Sequence, residues 1–159
     1  MAIQITKEQK GGVLHVKLLG AIDENTSFEQ SIGGVPPSEI RLNCKEVSRI
    51  NSTGVKMWIR YFLAAKQKGT LILFEECSPA IVEQFNLISN FACGGKIDSV
   101  VAPYCCESCK AEIRGTVQSA EMEKISRDPP PVPCPKCGKN AVFDDVPEEY
   151  FAFLARSAR

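Results

Sequence analysis

The chain has 159 residues, 19 basic and 19 acidic side chains, a formal charge of zero and 44% apolar residues. That apolar content supplies a core and excludes a disordered chain, and the even charge leaves no overall field to draw it to nucleic acid or an anionic membrane. The length suits one domain of about 100 residues plus a minor module. The first residues hold no apolar core of a signal peptide, and apolar runs such as Tyr61 to Ala65 and Leu71 to Phe74 are too short to span a bilayer. The expectation is a cytoplasmic protein without a membrane segment.

In chain order, Val13 to Leu19 alternates Leu14, Val16 and Leu18 with His15 and Lys17, which predicts a half-buried strand ending at Gly20. A short helix is predicted around Asn25 to Ser31, followed by Gly33-Gly34-Val35-Pro36-Pro37 as a break. Ile40, Leu42 and Cys44 repeat the alternation of a strand. From about Thr53 to Lys68, Val55, Trp58, Ile59, Phe62 and Ala65 recur at helical spacing, with Asn51 or Ser52 as N-cap and Gly69 as stop. Leu71 to Phe74 is an unbroken apolar run, which predicts a strand covered on both faces.

A second helix opens with Ser78 as cap and Pro79 in its first turn, and Ile81, Phe85 and Ile88 form its apolar stripe. Ile97 to Ala102 is a fourth strand, leading almost directly into a cysteine cluster. The segment from Asp128 to Pro133 is a stiff, extended approach to further cysteines. Pro147 to Leu154 predicts a terminal helix with Tyr150, Phe151 and Leu154 on its apolar side. Alternating strands and helices over the first hundred residues imply an α/β fold: a mixed sheet with helices packed on it, residues 1–102, followed by a small module, residues 103–159.

Three of the eight cysteines, Cys44, Cys77 and Cys93, are scattered through the first hundred residues, while five are crowded into the last third. Cys106-Glu-Ser-Cys109 and Cys134-Pro-Lys-Cys137 are two pairs with two-residue gaps, and two such turns complete a tetrahedral four-thiolate shell. The two pairs sit in polar, Pro- and Lys-bearing turns rather than opening a helix after a strand, which sets them apart from a thioredoxin-type redox site. One structural zinc ion is the expected occupant, with iron as the alternative that the same four sulfurs accept. Cys105 competes with Cys106 for the first ligand position. Cys134 to Gly138 reads Cys-Pro-Lys-Cys-Gly and resembles the knuckle of a zinc ribbon. Residues 103–159 carry eight basic and nine acidic side chains, and a four-thiolate zinc site adds about two negative charges, which disfavours nucleic acid as a partner.

The most informative segment of the larger unit is the polar turn Asn51-Ser52-Thr53-Gly54, which follows a strand and opens the long helix. Hydroxyls in a helix's first turn stand beside unpaired backbone N–H groups and the positive end of the dipole, where an added phosphate is stabilised. Here the sequence resembles a STAS domain, the module of bacterial anti-sigma factor antagonists. The resemblance runs over residues 3–102 and includes Gly20-Ala-Ile-Asp23, the hydroxyl-Gly turn, the long helix and the Gly then apolar strand after it. The family turn commonly reads Asp-Ser-Ser-Gly. Its second hydroxyl residue is phosphorylated by a partner kinase that also acts as anti-sigma factor.

The resemblance therefore implies partner switching, with phosphorylation at Thr53 or Ser52 and partner binding by Asp23, Asn51, Ser52, Thr53 and Gly54. Asn51 stands where the family has Asp, so the hydroxyl is kept and the carboxylate is not. With one histidine, no phosphate-cradling loop and a closed metal site, the expectation is a non-enzymatic binding module. Its alternatives are a non-phosphorylated scaffold whose ribbon makes the partner contact, and a rubredoxin-like electron carrier.

Overall fold

The computed structural model describes residues 3–33, 38–124 and 128–157. The Gly33 to Pro37 break thus lies mostly outside the described residues. The chain begins with a hairpin, β1 (Gln4–Lys10) and β2 (Val13–Ile22), joined through Gly11 and Gly12 and paired antiparallel from Gln4 opposite Leu19 to Lys10 opposite Val13. Next come α1 (Phe28–Ser31), β3 (Glu39–Ile50), α2 (Ser52–Gln67), β4 (Leu71–Glu75), α3 (Pro79–Leu87) and β5 (Lys96–Ile97). The five strands form one sheet in the order β1-β2-β3-β4-β5, parallel from β2 onward.

That monotonic order decides which face is covered. Parallel crossovers share one hand, so a sheet that always advances in one direction collects its helices on a single face. Accordingly Leu14, Val16, Leu18, Ile40, Leu42, Ile72 and Phe74 are buried, while their neighbours His15, Lys17, Arg41, Asn43 and Glu75 on the opposite face are not. The expectation that Leu71 to Phe74 is covered on both sides is corrected here: Ile72 and Phe74 are buried under the helices, whereas Leu71 on the opposite face is 65% exposed.

The covered face is packed around Trp58 of α2. Its ring stacks on Phe91 at 4.7 Å and on Phe74 at 5.4 Å, and its indole N–H donates to the Phe91 carbonyl at 2.9 Å. A buried Trp needs such a partner for its one donor. Phe28, Phe62 and Tyr61 complete the aromatic cluster.

A second sheet contains β6 (Ser99–Cys106), β7 (Glu112–Gln118), β8 (Val132–Pro133) and β9 (Asn140–Phe143), in the antiparallel order β7-β6-β9-β8. Helix α4 (Ser119–Lys124) follows β7, and α5 (Pro147–Tyr150) and α6 (Ala152–Ser157) follow β9. The fourth expected strand is thus two: Asp98 donates to the Phe74 carbonyl and separates β5 from β6. The single terminal helix is also two short ones.

No linker separates the sheets. β6 starts beside Cys77, whose N–H donates to the Ser99 carbonyl and whose carbonyl accepts from Val101 N–H, and the strand then runs unbroken to Cys106. The 102/103 limit read from the sequence falls in the middle of this strand. One continuous apolar cluster joins both sheets, from Leu14 and Trp58 through Val100 and Tyr104 to Phe143 and Phe153.

Candidate functional site

The four cysteines of the two knuckles meet at one end of the second sheet. The Sγ atoms of Cys106, Cys109, Cys134 and Cys137 all lie within 4.8 Å of one another, with Cys106 to Cys137 at 3.4 Å and Cys109 to Cys134 at 3.7 Å. A tetrahedron of sulfurs about 2.3 Å from a central ion has edges of about 3.8 Å, so the cluster has the size of a four-thiolate metal site and could hold a metal ion. Cys105 stands outside it, its Sγ directed at the Cys106 carbonyl at 3.8 Å. The competition between neighbours is therefore resolved in favour of Cys106.

The two knuckles are built alike. Lys110 N–H donates to the Cys106 carbonyl at 2.9 Å and Gly138 N–H to the Cys134 carbonyl at 2.8 Å. Cys106 N–H donates to Ala111 and Cys134 N–H to Lys139, one residue further on in each case. Both turns need a left-handed residue directly after the second cysteine: Gly138 takes φ +76 without steric cost, and Lys110 takes φ +62. The knuckle amides also face the sulfurs. Cys109 N–H donates to the Cys106 Sγ, and this contact leads the effects that draw the Cys106 thiol down to about 6. The Cys134 thiol is lowered in the same way, first by the Cys137 N–H. Both shifts favour the thiolate, the form that ligates metal, while Cys137, whose sulfur stands 3.4 Å from that of Cys106, is pushed up to about 11.

The second site is the start of α2. Asn51 is its N-cap: the side-chain oxygen accepts from Gly54 N–H at 2.8 Å, and the backbone N–H donates to the Ile22 carbonyl at 3.1 Å. The side-chain nitrogen of Asn51 donates to the Glu24 carboxylate at 2.8 Å. One residue thus caps the helix and ties it to the loop after β2. Asp23 organises that loop, accepting from Asn25 N–H at 2.9 Å while its own N–H donates to the Thr26 hydroxyl.

Asp23, Glu24, Arg49 and Asn51 line a hollow of about 250 Å³ beside the helix start. Ser52 and Thr53 are exposed, in the first turn of the 16-residue helix. Gly54 is buried, and a β-carbon there would stand 2.6 Å from the Ile22 carbonyl oxygen and 3.0 Å from its carbon. The glycine of the turn is therefore required by the close approach of α2 to β2.

All five residues expected at this site are brought together, four exposed or half-buried at the surface and Gly54 beneath them. Glu24 was missed by sequence reasoning. Hydrogen bonds from its own backbone N–H and from Asn51 hold its carboxyl below the usual carboxylate range, but no local spacing links residues 24 and 51. His15 lies on the open sheet face, away from both sites. No helix among the described residues is long and apolar enough to cross a membrane. No protein-family model matches the sequence, and a search of curated proteins found no match to it.

Proposed function

We propose that this chain is a non-enzymatic regulatory module of STAS type, with a structural zinc ion in its four-cysteine ribbon. It binds a kinase-like or anti-sigma-factor-like protein through Asp23 and the Asn51 to Gly54 turn. Phosphorylation of Thr53, or of Ser52, releases the partner.

The observation that carries this reading is the exposure of Thr53 in the first turn of a long helix whose cap is fixed on both sides. A phosphate there brings roughly −1.5 to −2 charges, which the free N–H groups and the helix dipole accommodate. The fold tolerates it. A partner seated over the turn meets that charge beside Asp23 and Glu24, so the modification acts on the complex rather than on the domain.

Zinc is supported by the donor set. Four thiolates leave no open position for water, which makes the ion a structural one. The knuckles are polar turns at one end of the second sheet, and ligation would add its free energy to the core that β6 shares with the first sheet.

The test compares Thr53→Val with Thr53→Glu as full-length, metal-loaded proteins, quantifying the host proteins each retains. The reading predicts one protein retained by Thr53→Val and at least ten-fold less of it by Thr53→Glu. Equal retention of every protein by both variants contradicts it.

A further inference from the structure

A further cleft lies between α3 and the helices that follow the second sheet, away from the start of α2. It has a volume of about 670 Å³, within the usual range of a binding cleft, and runs between the outward side of α3 and the segment around α5. Ile81, Val82 and Phe85 turn α3 inward, which leaves Glu83 and Leu87, one helical turn apart, facing out over the cleft. Leu87 is 69% exposed, the most exposed large apolar side chain among the described residues.

The described lining carries charge of one sign: Glu83, Asp145, Glu148 and Glu149 all line the cleft, and among the described residues no Lys, Arg or His does. Among the described residues none of the four is in an ion pair. In a chain of zero net charge this concentration is local.

The walls are also held in place. The Asn86 side chain donates to the Tyr150 carbonyl at 2.9 Å and accepts from Phe153 N–H at 2.9 Å, bridging α3 to α5 and α6. The Tyr150 hydroxyl donates to the Val101 carbonyl at 2.6 Å, anchoring the same wall to β6. A cleft fixed in this way needs little ordering when it is filled.

From the apolar anchor, the single-signed rim and the fixed walls we infer that this cleft docks a basic amphipathic segment of a partner protein. The segment's apolar side covers Leu87, and its lysines or arginines meet the four carboxylates. The site is separate from the Thr53 turn, so it stands or falls independently of the function proposed above.

The test uses the full-length, zinc-loaded chain, labelled with ¹⁵N, and a synthetic 14-residue peptide carrying leucine and lysine at helical spacing. A twin peptide with glutamate for lysine is the control. The expected result is saturable shifts centred on the amides of Glu83, Leu87 and Ala152, with at least ten-fold tighter binding of the basic peptide than of its twin. Leu87→Ser, at a site exposed enough to leave the fold intact, should weaken that binding at least five-fold without changing the charge. Equal binding of both peptides, shifts centred elsewhere, or unchanged binding to Leu87→Ser overturns the inference. So does self-association in sedimentation velocity that Leu87→Ser abolishes, which would assign the cleft to a second copy of the chain.

Discussion

Replacing Gly54 by alanine sets helix propensity against packing, and the structure says which wins. At an unremarkable helical position the change would stabilise by about 1 kcal/mol, because glycine is the poorer helix former by that much. Gly54 lies in the first turn of α2, where a β-carbon would stand 2.6 Å from the Ile22 carbonyl oxygen. Carbon and oxygen that are not bonded approach to about 3.3 Å, so the helix start must retreat by roughly 0.7 Å. The obstacle is backbone: Ile22 pairs with Ile50 in the sheet, and its carbonyl accepts from Asn51 N–H. Retreat therefore strains the cap from Asn51 to Gly54 as well. Overpacking of this kind costs about 1–3 kcal/mol, and loss of the cap adds about 1 kcal/mol. We predict a net loss of about 2 kcal/mol, read as a lower urea midpoint at an unchanged slope for the metal-loaded protein. Gly12→Ala, whose β-carbon meets nothing closer than 3.7 Å, is the control and should be nearly neutral. A Gly54→Ala variant as stable as the parent, or more stable, would refute the close-approach argument.

Further outcomes follow from the same geometry. Asn51→Asp keeps the cap acceptor but sets a carboxylate against that of Glu24, which now accepts from Asn51 at 2.8 Å. The variant should be less stable than the parent at pH 7.5, and the gap should narrow by pH 5 as one of the two acids protonates. Urea midpoints at the two pH values check this, and a gap independent of pH would contradict it. Burial pushes the Tyr61 hydroxyl up to about 12, against an ordinary value near 10. The folded state holds this proton more tightly, so stability is intact below pH 10 and falls as pH rises toward 12, by about 2 kcal/mol. Tyr61→Phe removes that share of the alkaline loss, and an alkaline profile identical to the parent's would count against it. Stripping the metal with a strong chelator should raise amide exchange first in β7, β8 and β9. The loss should then spread along β6, because Tyr104 and Val100 belong to the shared core. Unchanged exchange after stripping would mean that the ribbon folds without metal.

What could be read from the sequence was whatever repeats locally. The stripe from Val55 to Ala65 with Asn51 before it places α2 within a residue of Ser52–Gln67, and the two Cys-x-x-Cys spacings pick out all four clustered sulfurs. What escaped depends on partners distant in sequence. β1 is a polar edge strand, exposed along nearly all of its length, so it carries no apolar alternation to detect. The strands β8 and β9 are two and four residues long, below the reach of any periodic signal. Ser78 shows the opposite failure: it stands where a cap belongs, yet makes no side-chain cap bond, and its hydroxyl is buried without a partner. The limit between residues 102 and 103 rested on a change in composition, whereas the chain carries one strand across it because β6 serves both the core and the knuckle. Cutting there would remove half of a core strand, so partner binding is better tested by substitutions at Thr53 than by truncation.

We propose above that the α2 turn is a phosphorylation switch. Its most direct test is the intact mass of the full chain purified from its own host, followed by peptide mapping. A switch at this turn predicts a fraction heavier by about 80 Da, one phosphate, carried on Thr53 or Ser52. A chain without that fraction under every growth condition, or with the phosphate mapped outside the turn, would contradict it.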